Sequence, residues 1–338
     1  MSVLSLVRYV LANRFRWQRR EGVGLTGEFI DVHAHYLPSF YLDAMKNAGL
    51  SDIDGWPVPD WSAQRALAMM DDCNIAAQIL SISSPGVTFA KGQEARDLSR
   101  ALNTYIAAVI SDNAPRFGAF AVVPLPDVEG SLNEIAYALD TLDLEGVGLL
   151  SNYGGIYLGD ERLDPIFEEL NRRKAVVFVH PTPPPNFNSL GVGLPAPIME
   201  YPFDSTRMAS SLIKTGTLNR YPDIRFIISH GGGTIPYLYP RLVTGLGKES
   251  GGQFSTLYYD LTATTAPVQT AAIQAIASSK QFLMGFDFPF MNVKMAGPAI
   301  AALHLSNFSV SQMRGIQHGN AGLLFPKISK QLQWTALS

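Results

Sequence analysis

The segment Phe29-Ile30-Asp31-Val32-His33-Ala34-His35 begins as an apolar strand over Phe29–His33 and ends in an H-x-H pair. Alternate side chains of a strand share a face, so both imidazoles project to the same side at its carboxyl end. Such a pair says little alone. Its weight comes from seven similar runs downstream: Ile75–Ile82, Phe117–Val123, Gly146–Leu150, Ala175–His180, Ile224–Ser229, Thr256–Leu261 and Gln281–Phe286. Near-continuous apolar runs are what parallel strands covered by helices require. Between them lie amphipathic stretches of helical period, such as Gly92–Asn113, Ser131–Leu142 and Leu163–Lys174. Eight strands alternating with helices predict an α/β chain closed into a (β/α)8 TIM barrel.

The 338 residues suit one such domain, since a barrel takes ~250 residues and grows with insertions. The expected division is an N-terminal extension over 1–27 and a single catalytic barrel over 28–338. Hydrophobic residues make up 47% and charged residues 16%, below the usual charged share of about 25%, which favours a large buried core. A net charge of −3 offers no general attraction to nucleic acid. The single cysteine, Cys73, excludes an internal disulfide and points to a reducing, cytoplasmic setting. It lies where a helix ends before a strand and is expected to be packed. No run is long enough to span a membrane. Arg8, Arg14, Arg16, Arg19 and Arg20, interleaved with apolar residues, have the composition of an organelle-targeting or surface-seeking segment. The plainer expectation is a helix across the barrel bottom, or an upstream start codon. The longest irregular stretch, Pro181–Tyr201, follows a strand ending in His180 and is expected to form a lid over the barrel mouth.

Four of the six histidines end predicted strands. Besides His33 and His35, His180 closes Val-Phe-Val-His-Pro and His230 closes Ile-Ile-Ser-His-Gly-Gly-Gly. Asp287 follows the eighth strand in Leu-Met-Gly-Phe-Asp-Phe-Pro. Active sites of this fold lie at the carboxyl ends of the strands, so all five groups converge. Three neutral imidazoles and a carboxylate suit a divalent transition metal with one position open. Two-metal hydrolases of this fold carry a bridging lysine after the fourth strand. Here that strand runs into Gly148-Leu-Leu-Ser-Asn-Tyr153, without lysine, and Lys174 lies at the wrong end of the fifth, so one metal is expected.

Asp31-Val-His-Ala-His35, Arg116-Phe-Gly-Ala-Phe120, His230-Gly-Gly-Gly233, Gly285-Phe-Asp-Phe-Pro289 and Gly319-Asn-Ala-Gly-Leu-Leu-Phe325 together resemble the amidohydrolase-related superfamily. The likeness is to its branch of aminocarboxymuconate-semialdehyde decarboxylases and ortho-hydroxybenzoate decarboxylases, and it runs from about Phe29 to Phe325. It implies metal ligation by His33, His35, His180 and Asp287, with zinc or manganese bound, and a catalytic His230 beside the metal. It also implies a homodimer in which Arg241, eleven residues after His230, crosses to the partner. Arg65 stands one residue out of register from the arginine that grips a substrate carboxylate in part of the family. Asn152-Tyr-Gly-Gly155 and the proline-rich loop after His180 are most similar to the fungal 6-methylsalicylate decarboxylases.

The resemblance thus implies a metal-dependent carboxy-lyase that removes CO2 from a small hydroxylated aromatic acid. Two schemes stay open for it: Asp287 protonates the ring carbon with His230 tuning or relaying the proton, or His230 activates a metal-bound water for attack on the substrate. Ser83, Tyr153, Phe187, Phe290 and Arg65 are the candidate ring contacts. Asp204 and Asn320 are expected to orient loops, His304 to lie on a helix surface, and His318 in a turn or behind the metal ligands. The same metal site would serve a hydrolase or hydratase acting on a lactone, amide or enol acid. A mouth lined with charges would favour that alternative. A non-catalytic barrel would instead close the metal's coordination shell.

Overall fold

The structure, a computed structural model, describes residues 29–190, 192–291 and 293–333. The predicted extension 1–27, with its arginine-rich segment, lies outside the described residues. The strands are β1 (Phe29–His35), β2 (Ile75–Ser81), β3 (Phe117–Ala121), β4 (Gly146–Leu150), β5 (Asn152–Tyr153), β6 (Ile156–Tyr157), β7 (Val176–His180), β8 (Arg225–Ile228), β9 (Tyr258–Asp260) and β10 (Phe282–Leu283). Eight of them form one parallel sheet in the order β1-β2-β3-β4-β7-β8-β9-β10. The short β5 and β6 form an antiparallel hairpin just after β4.

The sheet closes on itself. Asp31 bridges Met284 and Ala34 bridges Phe288, both in parallel sense. The N–H groups of Val32 and His35 donate to the carbonyls of Met284 and Phe288, at 2.9 and 2.7 Å. The result is a (β/α)8 barrel with helices on its outside.

Strand limits differ from the sequence reading in every barrel strand but β4, and three of the differences bear on the site. β1 continues two residues further, so His33 and His35 lie within it. β9 stops at Asp260, because its carboxylate takes the N–H of Thr262 at 3.0 Å and turns the chain out of the ladder. β10 stops at Leu283, because the chain from Met284 onward crosses close over β1 through Gly285. The stretch after His180 is also more ordered than its composition predicts. A short helix covers Phe187–Leu190, and a long one spans Ala196–Lys214. Pro197 is in the first turn of that helix, where the missing N–H costs nothing and the fixed φ suits helix entry.

Packing ties the barrel floor to the site. Phe120 of β3 stacks on Phe178 of β7 (centroids 5.1 Å) and meets Phe325 of the C-terminal segment edge-on at 5.8 Å. All three rings are buried, each contributing roughly 1.5–3 kcal/mol by leaving water. Phe178 then meets the His33 ring edge-on at 5.1 Å, so the apolar stack is the surface on which that imidazole rests. Cys73 is buried at the end of the helix Ala63–Asp72, and burial pushes its thiol up to about 12, which makes it an inert packed residue. His304 ends the helix Val293–His304 exposed, whereas His318 lies not in a turn but in the π-helical segment Gly315–Gly319, which joins the helices Val310–Arg314 and Asn320–Leu324 without a break. Asn320 donates to the carbonyls of Ser279 and Phe282, both at 2.8 Å, fixing the start of β10. Asp204 is fully buried and accepts from Ser151, from Asn152 at 2.9 Å and from Tyr157 at 2.5 Å, tying the β4 end and its hairpin to the helix Ala196–Lys214.

Candidate metal and active site

His33 and His35 reach the barrel mouth from one face of β1, and His180 joins them from the end of β7. His230 follows β8, and Asp287 follows the β10 crossover. The ligand atoms of His33, His35 and His180 lie within 4.8 Å of one another, as do those of His33, His230 and Asp287.

Hydrogen bonds at the far nitrogens orient the rings. His33 Nδ1 is 3.0 Å from Asp260 Oδ2, His35 Nδ1 is 2.9 Å from Ser81 Oγ, and His180 Nδ1 is 2.7 Å from the Pro181 carbonyl. A carboxylate and a carbonyl only accept, so Nδ1 of His33 and of His180 carries the proton and Nε2 presents a lone pair. His33 Nε2 and His35 Nε2 face each other at 3.1 Å. Asp287 Oδ1 lies 3.0 Å from His35 Nε2 and 3.6 Å from His33 Nε2. That oxygen is buried and accepts no hydrogen bond. Lone pairs and a carboxylate oxygen crowded this closely repel one another unless positive charge lies among them. The donor set therefore fits a divalent ion, with His33 common to both groups of ligand atoms.

Burial disfavours charge on every ring. It drives His180 well below the ordinary histidine value, assisted by His35 and His33, and it lowers His35. His230 is pushed down to about 4, by burial first and by His33 next, so it is neutral near pH 7. On His33, burial is outweighed by the adjacent Asp260, and the pKa rises. Burial alone would raise Asp287, but His35, His33 and His230 hold its carboxyl below the usual range.

Above the cluster is a cavity of about 180 Å³. A cavity of about 150 Å³ accepts benzene, so this one suits a single substituted ring. His180, His230 and Asp287 form its polar floor. Ser83, Ile53, Trp56, Tyr201, Pro197, Ile198, Ala263, Phe290 and Met291 complete it. No lysine or arginine is among the described residues that line it.

Of the candidate ring contacts, the structure brings Ser83 and Phe290 to this cavity, and Phe290 meets His35 edge-on at 5.5 Å. Four lie elsewhere. Arg65 is 61% exposed on the helix Ala63–Asp72, 3.7 Å from Asp60. The Tyr153 hydroxyl accepts the Leu150 N–H at 3.0 Å, which turns its ring toward a separate small cavity. Phe187 lines an outer groove with Pro183, Pro184 and Pro185, because this run carries the chain away from the mouth. Arg241 is exposed on the helix Ile235–Leu246.

The sequence reading did not single out the Ile53–Trp56 turn, Tyr201, Ser81 or Asp260. Asp260 and Ser81 had a signal, being polar residues at the carboxyl ends of apolar runs, as His180 is. For Trp56 and Ile53 there was none, because a loop places them.

The amidohydrolase family model matches residues 30–327. Decarboxylase yanB of Aspergillus niger is 35% identical, covering 91% of this chain and 92% of its own. The 6-methylsalicylic acid decarboxylase acuB of Aspergillus aculeatus is also 35% identical, covering 89% of this chain and 97% of its own. Among solved structures, 5-carboxyvanillate decarboxylase of Novosphingobium aromaticivorans, complexed with manganese and 4-hydroxy-3-methoxy-5-nitrobenzoic acid, superposes with a TM-score of 0.80. It is 22% identical and covers 90% of this chain and 97% of that one. The chain belongs to the amidohydrolase family, in its decarboxylase branch.

Proposed function

We propose that this enzyme is a metal-dependent carboxy-lyase that releases CO2 from a small hydroxylated aromatic acid of the 6-methylsalicylate type, leaving a phenol. The observation that carries the reading is an apolar, ring-sized cavity floored by His180, His230 and an orphaned Asp287 oxygen, with His33 and His35 clustered against them. The named activities of its relatives support it. His33, His35, His180 and Asp287 would hold one divalent ion, zinc or manganese; the carboxyvanillate enzyme supports manganese.

When bound, such an ion would hold and polarise the carboxylate and the neighbouring phenol oxygen of the substrate. The chain supplies the rest. The apolar wall formed by Trp56, Ile53, Ile198 and Phe290 strips water from the ring and accommodates an alkyl substituent. The ring carbon bearing the carboxylate must gain a proton before the carbon–carbon bond breaks. Asp287 is ionised in the free protein and collects that proton from the substrate's phenol, then passes it to carbon. The electron pair of the broken bond returns to the ring as CO2 leaves, and a solvent proton restores the phenol on release. Neutral His230 sits beside the path as a relay. An uncharged wall suits this chemistry better than hydrolysis or hydration of a lactone, amide or enol acid.

Ultraviolet assays with a panel of ortho-hydroxybenzoates test the reading. Protein reconstituted with zinc or manganese should convert 6-methylsalicylate to the decarboxylated phenol, and chelator-treated protein should not. Bound metal with no turnover across the panel would sink it.

We also infer a homodimer. The helix Ile235–Leu246 is rich in apolar residues yet buries only Ile235, and it leaves Tyr237 87% exposed alongside Arg241. An apolar helix left this open is suited to a second copy of the chain. Light scattering should give twice the chain mass; a monomer at micromolar concentration would remove the inference.

A further inference from the structure

The two oxygens of Asp260 do different jobs, and we propose that this residue couples the metal-holding His33 to the catalytic His230. The inference rests on the metal-site reading above. Asp260 ends β9 and is fully buried. Its Oδ2 faces His33 Nδ1 at 3.0 Å, while Oδ1 accepts two backbone N–H groups, from His230 at 3.1 Å and from Thr262 at 3.0 Å.

The first contact fixes which nitrogen of His33 is bare. A carboxylate oxygen can only accept, so Nδ1 keeps the proton and Nε2 points its lone pair at the metal position. The second contact holds an unfavourable backbone. His230 has φ +54, and Gly231, Gly232 and Gly233 follow at +63, +79 and +64. Glycine adopts such angles freely, whereas histidine does so rarely. The bond from Oδ1 to the His230 N–H anchors that turn. One rigid carboxylate thereby sets the spacing of the two rings, whose centroids are 4.9 Å apart.

Asp260→Asn separates the two jobs with almost no change of shape. Two N–H donors converge on the Oδ1 position, so the amide oxygen must take it. The amide NH2 then faces His33 Nδ1 and donates to it, which moves the ring proton to Nε2 and blocks that ligand atom. His230 keeps its anchor. Asp260→Ala removes both holds.

The test measures Mn2+ binding by the electron paramagnetic resonance of the free ion, alongside turnover. Asp260→Asn should weaken Mn2+ binding about 10–100-fold, with the melting temperature of chelator-treated protein close to wild type. With saturating Mn2+ it should recover most of its turnover. Asp260→Ala should stay lower by on the order of tenfold or more, because His230 is misplaced. Wild-type Mn2+ affinity in Asp260→Asn would overturn the hold on His33, and equal recovery of both variants would overturn the hold on His230. If the variants do not fold, 15N resonances of histidine-labelled, chelator-treated wild-type protein decide, at a pH where the ring is neutral. A His33 ring protonated at Nδ1 supports the proposal, and one protonated only at Nε2 overturns it. Should wild-type protein bind no Mn2+, the metal reading fails, while the tautomer of His33 still decides the role of Asp260.

Discussion

Asp287→Asn is expected to leave a folded, metal-binding protein whose kcat/KM is lower by about 10²–10⁴-fold. The amide has the carboxylate's shape but can neither collect nor release a proton at carbon. Three imidazoles remain, so metal affinity should weaken without being lost. The loss should appear in kcat with KM little changed, because the missing interaction belongs to the transition state. Metal content measured on the same preparation separates this from simple demetallation. If Asp287→Asn kept its metal and turned over at nearly the wild-type rate, Asp287 would not be the acid. His230 would then be the remaining candidate. Its burial makes it a poor standing acid near pH 7, since it is already neutral there. Its buried Nδ1 has no hydrogen-bond partner, which leaves the ring free to relay a proton from a neighbour.

What could be read from the sequence follows from what holds each residue in place. The eight barrel strands were legible because each is covered on both faces, so its hydrophobicity is nearly continuous and independent of distant contacts. The histidines and Asp287 were legible because the fold puts strand ends at the active site. The cavity wall was not, and its anchoring shows why. The Ile53–Trp56 turn is held by the N–H of Ala196, which donates to the Asp54 carbonyl at 3.0 Å, and by the Tyr201 hydroxyl, which donates to the Asp54 carboxylate at 2.5 Å. Asp54 itself has φ +55. Residues as far as 147 positions apart settle that geometry, and no local pattern encodes it. Arg65 illustrates the converse. A likeness to a family position singled it out, but on the helix Ala63–Asp72 the face it occupies looks to solvent.

Fold and chemistry meet where the chain after β10 closes on β1, and one methyl group there should weaken both. Gly285 sits on the chain that closes β10 against β1. A Cβ at this position would collide with the Thr262 hydroxyl and lie 2.7 Å from His33 Cβ and 3.4 Å from Asp260 Oδ1. The backbone angle is not the constraint, since Gly285 is not in the left-handed region; space is. The Thr262 side chain could rotate, but His33 Cβ is fixed by the strand behind it. The His33 carbonyl also accepts the N–H groups of Phe286 and Asp287, at 3.3 and 2.7 Å. Relief must therefore come from β1 and the Gly285–Asp287 segment moving apart, which displaces His33 and Asp287 together. Gly285→Ala should lower unfolding free energy by about 1–3 kcal/mol, the usual cost of overpacking. It should also lower kcat/KM by about 10²-fold, as a misplacement near 1 Å does. Chemical denaturation of the chelator-treated protein reads the first effect, and steady-state kinetics at saturating metal reads the second. Both losses are expected together. A variant with wild-type stability and turnover would mean that the β1–β10 closure has slack that this packing does not show.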